Sequence, residues 1–209
     1  MSMTEKNTMR AAVFAAPGKL AAREVPRPTL ERPPDVLIRV DACGVCGTDL
    51  HILSVPAGHP GTVGAIMGHE YIGTVEAVGP AVTHVKPGDR VAVDPNIRCG
   101  TCKYCQEGLP NQCENFTTLG IFIHGGFAEY NVAPAKVLFP IPKELSAGIA
   151  AYIEPLSCVL NATNELKAQP GDTAVVLGGG PIGLYFTMML KASGCSKVIV
   201  TEIAEYRHS

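Results

Sequence analysis

Four cysteines crowd into fifteen residues of this 209-residue chain, in the pattern Cys99-x2-Cys102-x2-Cys105-x7-Cys113. The chain holds eight cysteines in all, and Met1 to Arg10 carry Glu5, Lys6 and Arg10 without the apolar run that opens a secretory signal. A reducing, cytoplasmic setting is therefore the expectation, in which thiols act as ligands, nucleophiles or buried groups rather than disulfides. Spacing decides among these. Gly100, Gly108 and Pro110 allow the sharp turns that a tetrahedral cage around one structural zinc ion demands, so Cys99, Cys102, Cys105 and Cys113 read as its ligands. Four thiolates at about 2.3 Å close the coordination sphere, so such an ion holds a loop and does no chemistry. An iron–sulfur cluster also takes four cysteines, but its usual spacings differ.

A hydrophobic content of 46% is that of a globular chain, and the formal net charge is only −2, with no block of like charges. Neither nucleic acid nor an anionic membrane surface is an expected partner. One stretch, Thr173 to Leu190, has no charged residue and is long enough to invite a membrane-span reading. Gly178-Gly179-Gly180-Pro181 in its middle argues instead for a buried strand, a tight turn and a helix.

The first two-thirds of the chain reads as short strands between turns. Val36, Ile38 and Val40 alternate with Leu37, Arg39 and Asp41, a half-buried strand whose polar face only Leu37 interrupts. Tyr71–Val78 and Arg90–Val93 are further strands, the second launched by the turn Lys86-Pro87-Gly88-Asp89. This part predicts an antiparallel barrel or sandwich. From Glu154 the pattern changes to helix, strand, glycine turn, helix and strand, with Pro155 at a first helical position and Leu156, Val159 and Leu160 as one apolar stripe. The boundary near Ala151 divides the chain into residues 1–152 and 153–209.

Two separate places supply a thiolate, an imidazole and a carboxylate: the run from Cys43 to His51, which holds Cys46, and the tripeptide Gly68-His69-Glu70. A catalytic zinc needs three protein ligands and an exchangeable fourth position, which a mixed S, N, O set supplies. Read singly, Cys46 as a buried thiol and His69 as a structural histidine remain alternatives. Further on, Ala174–Leu177 runs into Gly178-x-Gly180-x-x-Gly183, then a helix from Leu184 to Ala192 and a second strand, Lys197–Thr201, ending at Glu202. That context is the one a dinucleotide fingerprint requires, and an acidic group at Glu202 accepts hydrogen bonds from ribose hydroxyls, favouring NAD over NADP.

Taken in order, Cys46 with Thr48 and His51, then His69-Glu70, the four-cysteine lobe, Glu154-Pro155 and the glycine turn resemble the zinc-dependent medium-chain alcohol and polyol dehydrogenases, from about Met9 to the last residues. The resemblance implies a GroES-like, mostly-β barrel domain over 1–152 with a structural-zinc lobe at 95–115, then an α/β Rossmann domain over 153–209 of which only the first β-α-β is encoded. It implies two zinc ions per chain, NAD, a small-molecule alcohol or polyol substrate and, for a full-length form, a homo-oligomer. Cys46 and His69 match ligands of the catalytic zinc, and Glu70 and Glu154 match carboxylates that bind it directly or lie beside it. Asp49 matches a residue that orients a ligand such as His69, and Ile182 and Arg207 match cofactor contacts. Cys43, Cys158 and Cys195 match no ligand position and read as buried thiols; His59, His84, His124 and His208 read as surface residues.

The chemistry so implied is hydride removal from an alcohol whose acidity zinc raises. The Thr48 hydroxyl both donates and accepts, and the His51 imidazole can take up and release a proton, so the pair suits passage of the alcohol proton to solvent. Ile153-Glu154-Pro155-Leu156-Ser157 resembles sorbitol dehydrogenases, whereas Cys46-Gly47-Thr48-Asp49-x-His51-Ile52 resembles threonine dehydrogenases, so a secondary alcohol or polyol stands first and an amino alcohol second. A dinucleotide fold of this kind has about six parallel strands, and two are encoded here. The expectation is a truncated chain that keeps both metal sites, is inactive alone, and exposes a helix side bearing Phe186, Met189 and Leu190. A non-catalytic zinc-binding or interaction module is the alternative.

Overall fold

The computed structural model describes residues 7–207. Met1–Lys6 and His208 lie outside the described residues, and with them most of the segment read for a leader and the surface reading of His208. The chain divides between Tyr152 and Ile153 into two compact units.

In the first unit, β1 (Thr8–Ala16) and β2 (Lys19–Pro26) form an antiparallel hairpin. Strands β3 (Asp35–Gly44), β4 (Glu70–Val78), β5 (Arg90–Val93), β8 (Tyr130–Pro134) and β9 (Leu138–Pro140) make a five-stranded antiparallel sheet in the order β8-β3-β4-β5-β9. A two-strand ladder of β6 (Asn96–Ile97) and β7 (Thr117–Thr118) brackets the cysteine lobe. Central strand β3 departs from the predicted alternation: Val36, Leu37 and Ile38 are all buried, where β3 lies between β8 and β4 inside the sheet. Val36, Ile38, Tyr71, Val75, Val91, Leu119 and Ala133 pack together as the main core.

Helix α1 (Gly47–Leu53) leaves β3 and has only seven residues, too short to be stable by itself. Ile52, 1% exposed, plugs it into a second cluster with Phe14, Met67 and Ile121. Burial of that side chain is worth about 1.5–3 kcal/mol, enough to fix the helix and the residues on it. Helices α2 (Lys103–Gln106) and α3 (Ala147–Ala150) complete the unit.

The second unit comprises α4 (Ile153–Leu166), β10 (Thr173–Leu177), α5 (Pro181–Ala192) and β11 (Lys197–Thr201). β10 and β11 are parallel, in register from Thr173↔Lys197 to Leu177↔Thr201, so β10, α5 and β11 form one β-α-β unit. Helix α5 starts at Pro181 rather than Leu184, since Gly180 is its N-cap and proline's fixed φ suits the first helical position. Pro155 is the third residue of α4, not the first. The face α4 buries is Pro155, Val159 and Thr163, whereas Leu160 is 44% exposed; Thr163 is accepted because its hydroxyl donates to the Val159 carbonyl at 2.8 Å. Leu190 is buried, and Phe186 and Met189 are half-buried, so the apolar exposure on α5 falls instead on Ile182, Leu184 and Met188. Cys158 is exposed, contrary to the buried-thiol reading, and Cys43 and Cys195 are half-buried. Among the described residues no helix is long and apolar enough to cross a membrane.

Candidate metal centres and cofactor turn

The lobe draws Cys99, Cys102, Cys105 and Cys113 together, with all four sulfurs within 4.8 Å of one another. Its turns run through Gly100 and Gly108 at φ +79° and +78°, conformations in which glycine avoids the strain of a side chain. The N–H groups of Thr101 and Cys102 donate to the Cys99 sulfur at 3.4 and 3.3 Å and hold its pKa down to about 5. Cys102 is lowered too, by the N–H groups of Cys105 and Glu114. Cys105 is pushed up to about 12, by burial and then by the neighbouring sulfurs. Backbone dipoles thus favour thiolates at Cys99 and Cys102, while burial and their charge oppose one at Cys105, an opposition a bound cation would relieve, which is the donor chemistry of a closed zinc cage.

A second cluster joins Cys46, His69 and Glu70, whose ligand atoms also lie within 4.8 Å of one another. Cys46 caps α1, while His69 and Glu70 stand at the start of β4. Asp49, 2% exposed, ties the two segments: Oδ2 accepts from the Cys46 N–H at 2.9 Å, and Oδ1 faces Nδ1 of His69 at 3.6 Å. That separation is too long for a full hydrogen bond, and both atoms are buried without one. Burial disfavours the His69 imidazolium, but the Asp49 carboxylate and the Cys46 sulfur outweigh it and raise the pKa to about 10. A cation on Nε2 would take over the charge that the proton supplies here, so the residues fit a metal. Glu70 reaches the cluster through space left by Gly44, its partner across the β3–β4 ladder, where any side chain would overlap the carboxylate. Gly44 carried no sequence signal for this role.

Thr48 and His51 lie three residues apart on α1, on one side of it, with Thr48 half-buried and His51 exposed. Glu154 is in the first turn of α4, in the second unit. His84 and His124 are exposed as expected, and His59 is half-buried.

In the second unit Gly178, Gly180, Ile182, Gly183 and Arg207 line one cleft of about 560 Å³ at the C-terminal end of β10. Gly178 adopts φ +104°, and any side chain at Gly183 would overlap the Gly178 carbonyl, so α5 packs tightly under the turn. Glu202 follows β11 and accepts from the N–H groups of Gly179, Ile203 and Ala204 at 2.9, 2.8 and 2.9 Å and from Arg207 Nη1 at 3.3 Å. Led by the Ala204 N–H, these donors hold the carboxyl at about 2.

Residues 32–143 match the model of the alcohol dehydrogenase GroES-like domain. The chain belongs to the zinc-type alcohol and polyol dehydrogenase family. Among its relatives are (R,R)-butanediol dehydrogenase of Saccharomyces cerevisiae, 38% identical with 95% of this chain and 59% of that protein covered, and D-altritol 5-dehydrogenase of Agrobacterium fabrum, 41% identical with 95% and 60% covered. A solved structure from Sinorhizobium meliloti 1021, described as a zinc-binding dehydrogenase and bound to NADP, superposes with a TM-score of 0.92 at 38% identity, over 97% of this chain and 58% of that one. The chain thus spans about three-fifths of the length of these relatives. Within the alcohol dehydrogenase family, the expectation of a GroES-like β domain followed by the opening β-α-β of a Rossmann fold is borne out.

Proposed function

We propose that this chain carries the zinc-binding part and the adenosine-binding turn of a dehydrogenase that oxidises a secondary alcohol or polyol with NAD. The supporting observation is the convergence of Cys46, His69 and Glu70 beside an Asp49–His69 contact that lacks a full hydrogen bond. When bound, zinc supplies the Lewis acidity that makes an alcohol a proton donor near neutral pH, and the nicotinamide accepts the hydride. Asp49 fixes the His69 ring and the start of α1 together. Thr48 takes the proton of the substrate hydroxyl on its oxygen and passes its own to His51, whose exposed imidazole releases it to water. Cys99, Cys102, Cys105 and Cys113 hold a second zinc that anchors the lobe.

In this reading Glu202 and Arg207 contact the adenosine end of NAD, the Glu202 carboxylate accepting from the ribose hydroxyls. The polypeptide of 209 residues binds metal and does not sustain hydride transfer, a reading supported by the 58% and 83% exposure of Val175 and Leu177 on β10 among the described residues. Metal analysis with NAD titration and a polyol oxidation assay tests the reading. Two zinc ions per chain with weak NAD binding and no turnover is the expected result. A metal-free protein overturns the zinc assignment, and turnover at the rate of a whole dehydrogenase overturns the inactivity.

A further inference from the structure

His69 directly precedes β4 and Glu70 is the first residue of that strand, so their two side chains leave the chain where its path changes from loop to strand. Both place a donor atom within 4.8 Å of the Cys46 sulfur, and the backbone enters this pair through Gly68. Gly68 has φ +88°, and the Phe127 ring occupies the place of a side chain there. The strip 124–127 runs along residues 66–68: Gly125 N–H donates to the Ile66 carbonyl at 2.8 Å, Gly126 N–H to Gly68 at 2.7 Å, and Phe127 N–H to Met67 at 2.8 Å. This strip is the mould on which the turn before His69 is cast.

One buried amide ties the mould to the far side of the ligand pair. Asn131, 3% exposed on β8, donates through Nδ2 to the carbonyls of His124 and Gly125 at 2.9 and 3.2 Å. Its Oδ1 accepts from the Tyr71 hydroxyl at 2.7 Å, and Tyr71, 1% exposed, is the residue after Glu70. The bridge crosses β3, which separates β8 from β4. Around Tyr71 the core is apolar, with Val36, Ile38, Val75, Leu119 and Ala133 in its cluster. An amide–phenol pair in such a core gains little over well-packed apolar side chains, and its use lies in permitting one arrangement only.

We propose that Asn131, acting with Tyr71, is a positioning residue for the His69–Glu70 ligand pair. The inference rests on the metal reading of Cys46, His69 and Glu70. In it, Asn131 holds the 124–127 strip and Tyr71 at fixed separation, so that Gly68, His69 and Glu70, strung between them, present both donors toward Cys46.

The test is Co²⁺ titration of the metal-depleted full chain, comparing wild type with Asn131→Leu, which replaces the amide by an apolar side chain of similar size, and Tyr71→Phe, which removes the hydroxyl alone. Absorption bands of the four-thiolate site serve as an internal control, and thermal unfolding reports stability separately. Loss of about tenfold or more in affinity at the mixed site, with shifted ligand-field bands and unchanged four-thiolate bands, is the expected result in both variants. Wild-type bands and an affinity within about twofold in both variants overturn the positioning role, whatever the melting temperature does. If Asn131→Leu does not fold, Tyr71→Phe decides by the same criteria. Wild type that binds Co²⁺ only at the four thiols overturns the metal reading itself, and this inference with it.

Discussion

Gly44 stands opposite Glu70 across the β3–β4 ladder, and the Glu70 carboxylate lies in the space a side chain at position 44 would need. Gly44→Ala therefore pushes the carboxylate away from Cys46 and His69. Chelator competition should show the metal held at that site weakened by about tenfold or more, with the four-cysteine site unchanged.

Cys102 supplies one of the four clustered thiols and also caps α2. Cys102→Ser should abolish tight zinc binding in the lobe and lower thermal stability, while Cys46 and His69 keep theirs. Metal analysis of the variant should fall from two zinc ions per chain to one. Loss of both would mean that the sites are coupled.

His69 holds its proton up to about pH 10 in the metal-free protein, because Asp49 and Cys46 outweigh burial. A metal on the ring must displace that proton. Affinity at this site should therefore rise with pH, by about tenfold per unit for each ligand proton the metal displaces, and the share due to His69 should level off above about pH 10. Calorimetry of the Cys102→Ser chain in buffers of different ionisation enthalpy measures the released proton. Removing the carboxylate with Asp49→Asn should make the slope shallower at neutral pH.

The carboxyl of Glu202 is depressed from 4.5 to about 2 by its N–H donors. A depressed acid stabilises the fold fully above its ordinary value, and that contribution is lost as pH falls through the folded value. The second unit should accordingly lose stability between pH 4.5 and about 2. Glu202→Gln should flatten this part of the acid profile and weaken NAD binding, read by circular dichroism against pH and by NAD fluorescence titration.

Much of the fold was legible because its signals are local. Arg90–Val93 and Lys197–Thr201 are strands at the predicted limits, and the glycine turn between β10 and α5 follows from residues that must adopt or permit a special backbone. Misreadings came where burial depends on neighbours distant in sequence. Leu37 looked like a blemish on a polar face because its apolar ladder partners, Ala77 on β4 and Val132 on β8, are distant in sequence. Leu160 looked like core and is exposed, since helical spacing gives a face but not what covers it. Cys158 looked buried by its chemistry and is exposed by its position on α4.

The sequence by itself determined which donors exist: four cysteines at turn-compatible spacing, a Cys46 and a His69-Glu70 pair too far apart to meet without a fold, and a glycine run that only a tight turn accommodates. Donor identity is a property of single residues, and spacing of fifteen residues or fewer is governed by local backbone geometry. Only the tertiary structure decided that Cys46, His69 and Glu70 converge, that Gly44 leaves room for them, and that Asn131 reaches Tyr71 across an intervening strand. Those relations rest on strand register, which long-range pairing and packing fix together and which no short stretch of the chain encodes.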